Sequence, residues 1–175
     1  MMKRLDAAFF ERDALQVAPE LVGMLICRKL PEGQVKKMRI TETEVYRGEE
    51  DQACHARFGK TKRTEMMYRK GGYAYIYLVY GLHHLFNVVT GKADEPQAVL
   101  IRAAEKPLDG PAKWTKHMQI TTEKNGLYLP DNNEIWLEDD GYRPEVRTAP
   151  RVGIDYAGEV WKAIPWRFIA IEGGK

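Results

Sequence analysis

The sequence predicts a single α+β domain spanning residues 1–175, with a curved, largely antiparallel sheet, flanking helices and a protruding β-hairpin. Three observations carry this. Strand-like segments follow one another without the regular helical crossovers that a doubly wound parallel sheet requires. A chain of 175 residues that is 44% hydrophobic and 30% charged has the size and composition of one globular unit, with no sign of disorder. Its glycines and prolines are dispersed as turn signals instead of gathered in a linker, and no internal repeat is present.

Taken in order, Phe9 to Leu30 reads as one or two helices running into a strand, with Asp13 as an N-cap and Pro19 in a first helical turn. Met38 to Tyr46 alternates as a strand. On strict alternation Met38, Ile40, Glu42, Glu44 and Tyr46 share one face, so an apolar face ends in two carboxylates. Gly72 to Tyr80 is aromatic and β-branched, Gly81 signals a turn, and Leu85 to Thr90 resumes a strand, which places Tyr80 near a hairpin tip. Ala98 to Ala103 is a further strand, Asp109-Gly110-Pro111 starts a helix with Asp109 as a cap, and Ile135–Leu137 and Trp166–Ile171 are late strands.

Composition excludes several classes. No apolar run approaches the ~18 residues of a membrane span, and Asp6, Glu11, Arg12 and Asp13 interrupt any signal-like start, so neither membrane nor export is expected. Cys27 and Cys54 lack CxxC spacing and make no disulfide framework, which fits a reducing cytoplasm. The net charge of +2 is too small to argue for nucleic acid, but its distribution is uneven. Arg57, Lys60, Lys62, Arg63, Arg69 and Lys70 fall in one short stretch opposed only by Glu65, just after an acidic segment from Glu42 to Asp51.

Among chemistry-bearing residues, Glu42 and Glu44 stand two apart on a strand, roughly 7 Å between α-carbons. A glutamate on an otherwise apolar face should have a raised pKa and can activate a water, although the pattern alone favours two solvated glutamates at a strand end. Tyr73, Tyr75 and Tyr77 share a strand face; they are either core or a half-wet platform on which bases stack. His55, His83, His84 and Cys54 lack metal-ligand spacing, and Cys54 beside His55 makes no triad if both lie on a strand, so no metal is expected. Gly71-Gly72 and Gly91 open no phosphate-binding helix, and no cofactor is expected.

The blocks Arg39-Ile40-Thr41-Glu42-Thr43-Glu44-Val45-Tyr46, His55, Tyr77-Leu78-Val79-Tyr80-Gly81 followed by Asn87, and Val99-Leu100-Ile101-Arg102-Ala103 resemble the alkyladenine (3-methyladenine) DNA glycosylase family in a bacterial-type minimal form. Gly110-Pro111-Ala112-Lys113, Arg151-Val152-Gly153-Ile154 and Pro165-Trp166-Arg167-Phe168 look like its later blocks, in the same order. Separated blocks in one order are far more specific than any single motif.

The resemblance implies a monofunctional enzyme of base excision repair, without cofactor, that flips alkylated or deaminated purines out of duplex DNA. It would hydrolyse the N-glycosidic bond with an activated water, without a covalent enzyme intermediate, and leave an abasic site. Glu44 would be the general base, Arg102 would place the water or the adjacent phosphate, and the Val152 carbonyl would be the water's third partner. Tyr46, His55 and Tyr77 would box the base, Asn87 would oppose a guanine 2-amino group, and Tyr80 would fill the gap in the duplex. Lys60, Lys62 and Arg63 would meet phosphates. The partner implied is double-stranded DNA containing damaged purines, bound by a monomer in the nucleoid-associated cytoplasm. Cys54, where the family commonly has a small alanine-like residue, and His83-His84, where an aromatic pair is expected, depart from the pattern. The rival of another class is a non-catalytic damaged-DNA-binding module; an O-glycosidase and a lyase using an amine are weaker rivals.

Overall fold

The computed structural model describes residues 2–172. Its frame is an antiparallel sheet whose strands run in the order β1 (Lys3–Arg4), β7 (Ile135–Asp139), β2 (Leu25–Lys29), β3 (Val35–Arg47), β6 (Gln97–Ala104), β5 (His83–Val89) and β4 (Ala74–Val79). A side branch pairs β9 (Arg167–Ala170) with β3 and with β8 (Val146–Ala149). The sheet is not closed, and with its short helices the architecture is α+β.

Long strand β3 is the hinge of this arrangement. Its first part pairs with β2, from Leu25↔Arg39 to Lys29↔Val35, and its second part pairs with β6 and β9. Between the parts the register with β6 shifts at Ile40/Glu42 and again at Glu42/Thr43. Strict alternation therefore fails here. Met38 and Ile40 enter the main core, and so does Val45, an odd number of residues later. Thr43, on the side of Val45, donates its hydroxyl to the Ala18 carbonyl at 2.8 Å. Glu44 and Tyr46 consequently lie on the sheet face opposite Met38 and Ile40, not on the same face as the sequence predicts. A bulge of this kind re-aims the side chains beyond it.

Past the bulge the sheet sorts cleanly by parity. Val45, Val99, Ile101, Phe86, Val88, Ala74 and Ile76 enter the main core. Glu44, Tyr46, Ala98, Leu100, Arg102, Leu85, Asn87, Tyr75 and Tyr77 line the other face. Helix α1 (Ala7–Phe10) and helix α2 (Ala14–Leu21) cover the core side. Asp13 caps α2 by accepting from the Leu15 N–H, as the sequence predicts. Pro19, expected in a first turn, sits well inside α2, because the Asp13 cap starts the helix earlier. It cannot donate to the Leu15 carbonyl, and the helix stops two residues on.

Helix α3 (Pro111–His117) starts with proline in its first turn, as expected, but its cap is Gly110. Asp109 instead accepts from Lys113 Nζ at 2.8 Å, one helical turn away. Trp114, fully buried, donates its indole N–H to the Ile101 carbonyl at 3.0 Å and locks α3 against β6. Strands β1 and β8 escape the sequence pattern because one is two residues long and the other, Val-Arg-Thr-Ala, has no buried residue. Cys54 and His55 do not lie on a strand; His55 opens the 3-10 turn His55–Phe58. Cys54 precedes that turn, and burial pushes its thiol up to about 12. No helix among the described residues is long and apolar enough to cross a membrane.

Candidate active site

On the sheet face opposite the core, register sets four residues in one row, Glu44↔Leu100↔Asn87↔Tyr75 across β3, β6, β5 and β4. At about 4.8 Å per strand step the row is roughly 14 Å long. It forms the floor of a cleft of about 820 Å³, within the range of about 300–1,000 Å³ typical of small-molecule sites. Because the outer two strands of the row run in opposite directions, Tyr46, two residues beyond Glu44, and Tyr77, two beyond Tyr75, lie on opposite sides of it.

Glu44 is fully buried. Its Oε2 accepts the Val152 N–H at 2.7 Å and its Oε1 accepts the Tyr46 hydroxyl at 3.1 Å. Arg102 Nη1 stands 3.7 Å from Oε1 and carries the nearest positive charge. Burial raises the Glu44 pKa, and the Arg102 charge, the Val152 amide and the Tyr46 hydroxyl pull it only part of the way back. The result is a carboxylate poised to accept a proton. The contact that Val152 makes is through its amide, and it fixes the carboxylate. Glu42 is no free partner in a carboxylate pair, since its Oε2 lies 3.9 Å from Arg102 Nε and 3.4 Å from Arg167 Nε.

The aromatic wall is coupled. His55 Nδ1 and the Tyr75 hydroxyl are 2.9 Å apart, and the rings of His55 and Tyr77 meet at 4.6 Å and 63°. Burial, helped by Arg63 and Arg57, holds His55 down to about 4, so the imidazole is neutral at pH 7. Burial likewise pushes Tyr75 up to about 12 and raises Tyr46 and Tyr77. The wall is thus uncharged but rich in π surface. Asn87, buried on the floor, donates to the Tyr75 carbonyl at 3.1 Å.

The mouth carries Tyr80, His83, Arg63 and the start of α3. Tyr80 is 89% exposed at the tip of the β4–β5 hairpin. Its φ of 53° is followed by 68° at Gly81, and the Leu82 N–H closes the turn on the Val79 carbonyl. Asparagine or glycine normally fills the first of these positions. A bulky residue there is strained, and strain held at an exposed aromatic points to function. His84 is turned away, with Nδ1 accepting the Thr122 N–H at 3.1 Å.

Of the residues singled out from sequence, Glu44, Arg102, Val152, Tyr46, His55, Tyr77, Asn87, Tyr80 and Arg63 meet around this one cleft. Lys60 and Lys62 are exposed outside its lining, with Lys60 Nζ 3.9 Å from Asp94. Sequence reasoning missed the strut behind the site. Arg151 and Asp51, both side chains wholly buried, form a bidentate pair at 2.7 and 3.0 Å. Arg151 also donates to the Val45 carbonyl, and its guanidinium lies over the Tyr46 and Trp166 rings. Asp51 accepts the backbone N–H groups of Arg47 and Ala53. This tie sets Val152, and through it Glu44. The sequence offered Arg151 within a resemblance block and Asp51 within an acidic run, with nothing to join them. Among the described residues no group of three or more His, Cys, Asp or Glu side chains is placed to hold a metal.

The sequence model of the methylpurine-DNA glycosylase (MPG) family matches residues 8–109 and 105–173. The chain belongs to that family. It is therefore a DNA glycosylase, an enzyme of DNA repair. Among its relatives, a protein of Psychrobacter cryohalolentis is 43% identical, over 87% of this chain and 85% of its own length. One of Natranaerobius thermophilus is 42% identical over 94% of each chain, and one of Borreliella afzelii is 42% identical over 98% of this chain and 97% of its own. All three carry the name "Putative 3-methyladenine DNA glycosylase".

Proposed function

We propose that the protein releases alkylated purines, 3-methyladenine and 7-methylguanine foremost, from duplex DNA by flipping the nucleotide into the cleft and hydrolysing its N-glycosidic bond. The observation that carries this is the buried Glu44 carboxylate, oriented by an amide, a hydroxyl and an arginine at the end of the floor row of a cleft with an aromatic wall. Glu44 takes a proton from a water whose oxygen attacks the anomeric carbon. The carbon–nitrogen bond breaks and its electron pair leaves with the purine. Arg102 beside Glu44 holds the water or the neighbouring phosphate.

A purine methylated at N3 or N7 is a cation and a good leaving group. The neutral rings of Tyr46, His55 and Tyr77 attract it by about 0.5–2 kcal/mol, and a neutral His55 adds no repulsion. A deaminated purine such as hypoxanthine is uncharged and must gain a proton to leave, yet His55 and the tyrosines are poor acids at pH 7. Cationic lesions are therefore the preferred class, and hypoxanthine a slower substrate. Tyr80 fills the gap in the duplex, and opening the stack costs least at a damaged pair. Arg63, Lys60 and Lys62 meet phosphates, the protein acts as a monomer, and its place is with the DNA in the cytoplasm.

The test is incubation with methylated duplex DNA, assaying free 3-methyladenine and 7-methylguanine against alkali-labile abasic sites. Release with equal numbers of abasic sites is expected. Folded protein that binds the duplex but frees no base would instead make it a damage-binding module.

A further inference from the structure

Beyond the cleft itself, the surface carries a second aromatic group that the reaction above does not use. Phe58 and Tyr156 are 74% and 60% exposed, more than any buried-core role allows. The Arg57 guanidinium carbon lies 4.2 Å from the Phe58 ring centre and 5.1 Å from that of Tyr156, and Arg57 Nη1 is anchored on the Cys54 carbonyl at 3.2 Å. Tyr156 is pinned by its hydroxyl to the Ala53 carbonyl at 3.0 Å. Two exposed rings are thus held in place on one cation.

Their position ties them to the cleft. Tyr156 lines it directly. Phe58 ends the 3-10 turn that His55 begins, and residues three apart in such a turn project from the same side. Ala53, which holds Tyr156, packs with Tyr46. Tyr46 stands across the floor row from Tyr77 and from the hairpin that extends beyond it to Tyr80. The cleft therefore carries exposed aromatics in two places, Tyr80 at the hairpin tip and the Phe58–Arg57–Tyr156 group beside His55.

We propose that the Phe58–Arg57–Tyr156 group is a second nucleobase-binding platform, which stacks one unpaired base of the DNA next to the extruded nucleotide. This rests on the reading of the cleft as a DNA site. A flat π face backed by a cation suits any base irrespective of sequence, because every base presents a π face of its own. Charge favours a polyanion here, since Lys60, Lys62 and Arg63 follow in the same segment. The acidic neighbours are occupied: Asp155 lies 3.2 Å and Glu159 3.9 Å from Lys162 Nζ. The platform gives the enzyme a preference for DNA that already holds an unpaired base, such as a bulge or a frayed nick.

The experiment compares an undamaged duplex carrying a one-base bulge of 2-aminopurine with the same duplex fully paired, reading affinity and quenching of the 2-aminopurine. A stacked base is worth a factor of roughly 5 to 150 in binding. The wild type is expected to prefer the bulged duplex by roughly ten-fold, with quenching. Phe58→Ala should erase the preference, while Phe58→Trp and Tyr156→Phe, which keep the rings, should retain it. Phe58→Ala should also leave base release from fully paired methylated duplex within about two-fold, and the salt dependence of binding unchanged, because stacking displaces no counterions. A wild type without preference for the bulge, or a Phe58→Ala protein that keeps it, would overturn the platform. Absence of base release by the wild type from methylated duplex would instead refute the glycosylase reading, so the two failures are separable.

Discussion

Replacing Glu44 with glutamine separates chemistry from architecture. The side chain keeps its shape and an oxygen for the Val152 N–H, which the wild-type carboxylate accepts at 2.7 Å. It loses the ability to take a proton. Positioned general bases contribute about 10²–10⁴ in rate, which is roughly 3–5 kcal/mol of barrier, and the variant should lose that much in single-turnover release of 3-methyladenine. Stability should move the other way. Burial raises the Glu44 pKa above its ordinary value of 4.5. The native state then binds more protons than the unfolded chain between the two values, so stability falls as pH rises through that window. At neutral pH the ionised Glu44 is a net cost to folding. Glu44→Gln should therefore unfold in urea at an equal or higher midpoint at pH 7, and its stability should be flatter with pH above 4.5. The wild-type rate should climb with pH through the raised Glu44 pKa, not through the ordinary one. A variant releasing base at the wild-type rate would refute the assignment of Glu44 as the base. One that is slow but much less stable would mean that the carboxylate holds the fold.

Four further outcomes are expected. Asp51→Asn leaves Arg151 buried without its charge partner, which should cost about 3–5 kcal/mol in chemical denaturation; a loss below about 1 kcal/mol would show that the strut is dispensable. Tyr80→Asn relieves a left-handed residue and should gain about 1 kcal/mol in stability while slowing base release about ten-fold; unchanged release would remove Tyr80 from the flipping step. Because His55 is held down to about 4, it stabilises the fold fully above about pH 6.5 and loses this contribution as pH falls toward 4. His55→Asn should show a shallower loss of urea midpoint over that window, and parallel curves would refute it. Charge reversal at Lys62 and Arg63 should weaken binding to any duplex and flatten the slope of affinity against salt, whereas an unchanged slope would exclude phosphate contacts there.

Alternation of side chains makes most of the sheet legible along the chain. The aromatic run ending at Tyr80, the glycine after it and the strand at Ala98 each announce a half-buried strand, because a strand with one face on a core repeats every two residues. The resemblance blocks named Glu44, Arg102 and Asn87, and these meet in one cleft. What the chain could not announce is where alternation breaks. The bulge in β3 reverses the face on which Glu44 stands relative to Ile40, and a pattern read along one strand carries no record of how many residues its neighbour sets opposite.

The same holds for every feature made by residues distant in the chain. The pair of Arg151 with Asp51 spans 100 residues. The row from Glu44 to Tyr75 exists only through the registers of three strand pairs. Local sequence determines local conformation and the faces it presents, since propensity and period act over a few residues. Which faces meet, and which charges are buried together, is decided by packing, because the free energy of burial depends on neighbours that the chain brings together only when it folds.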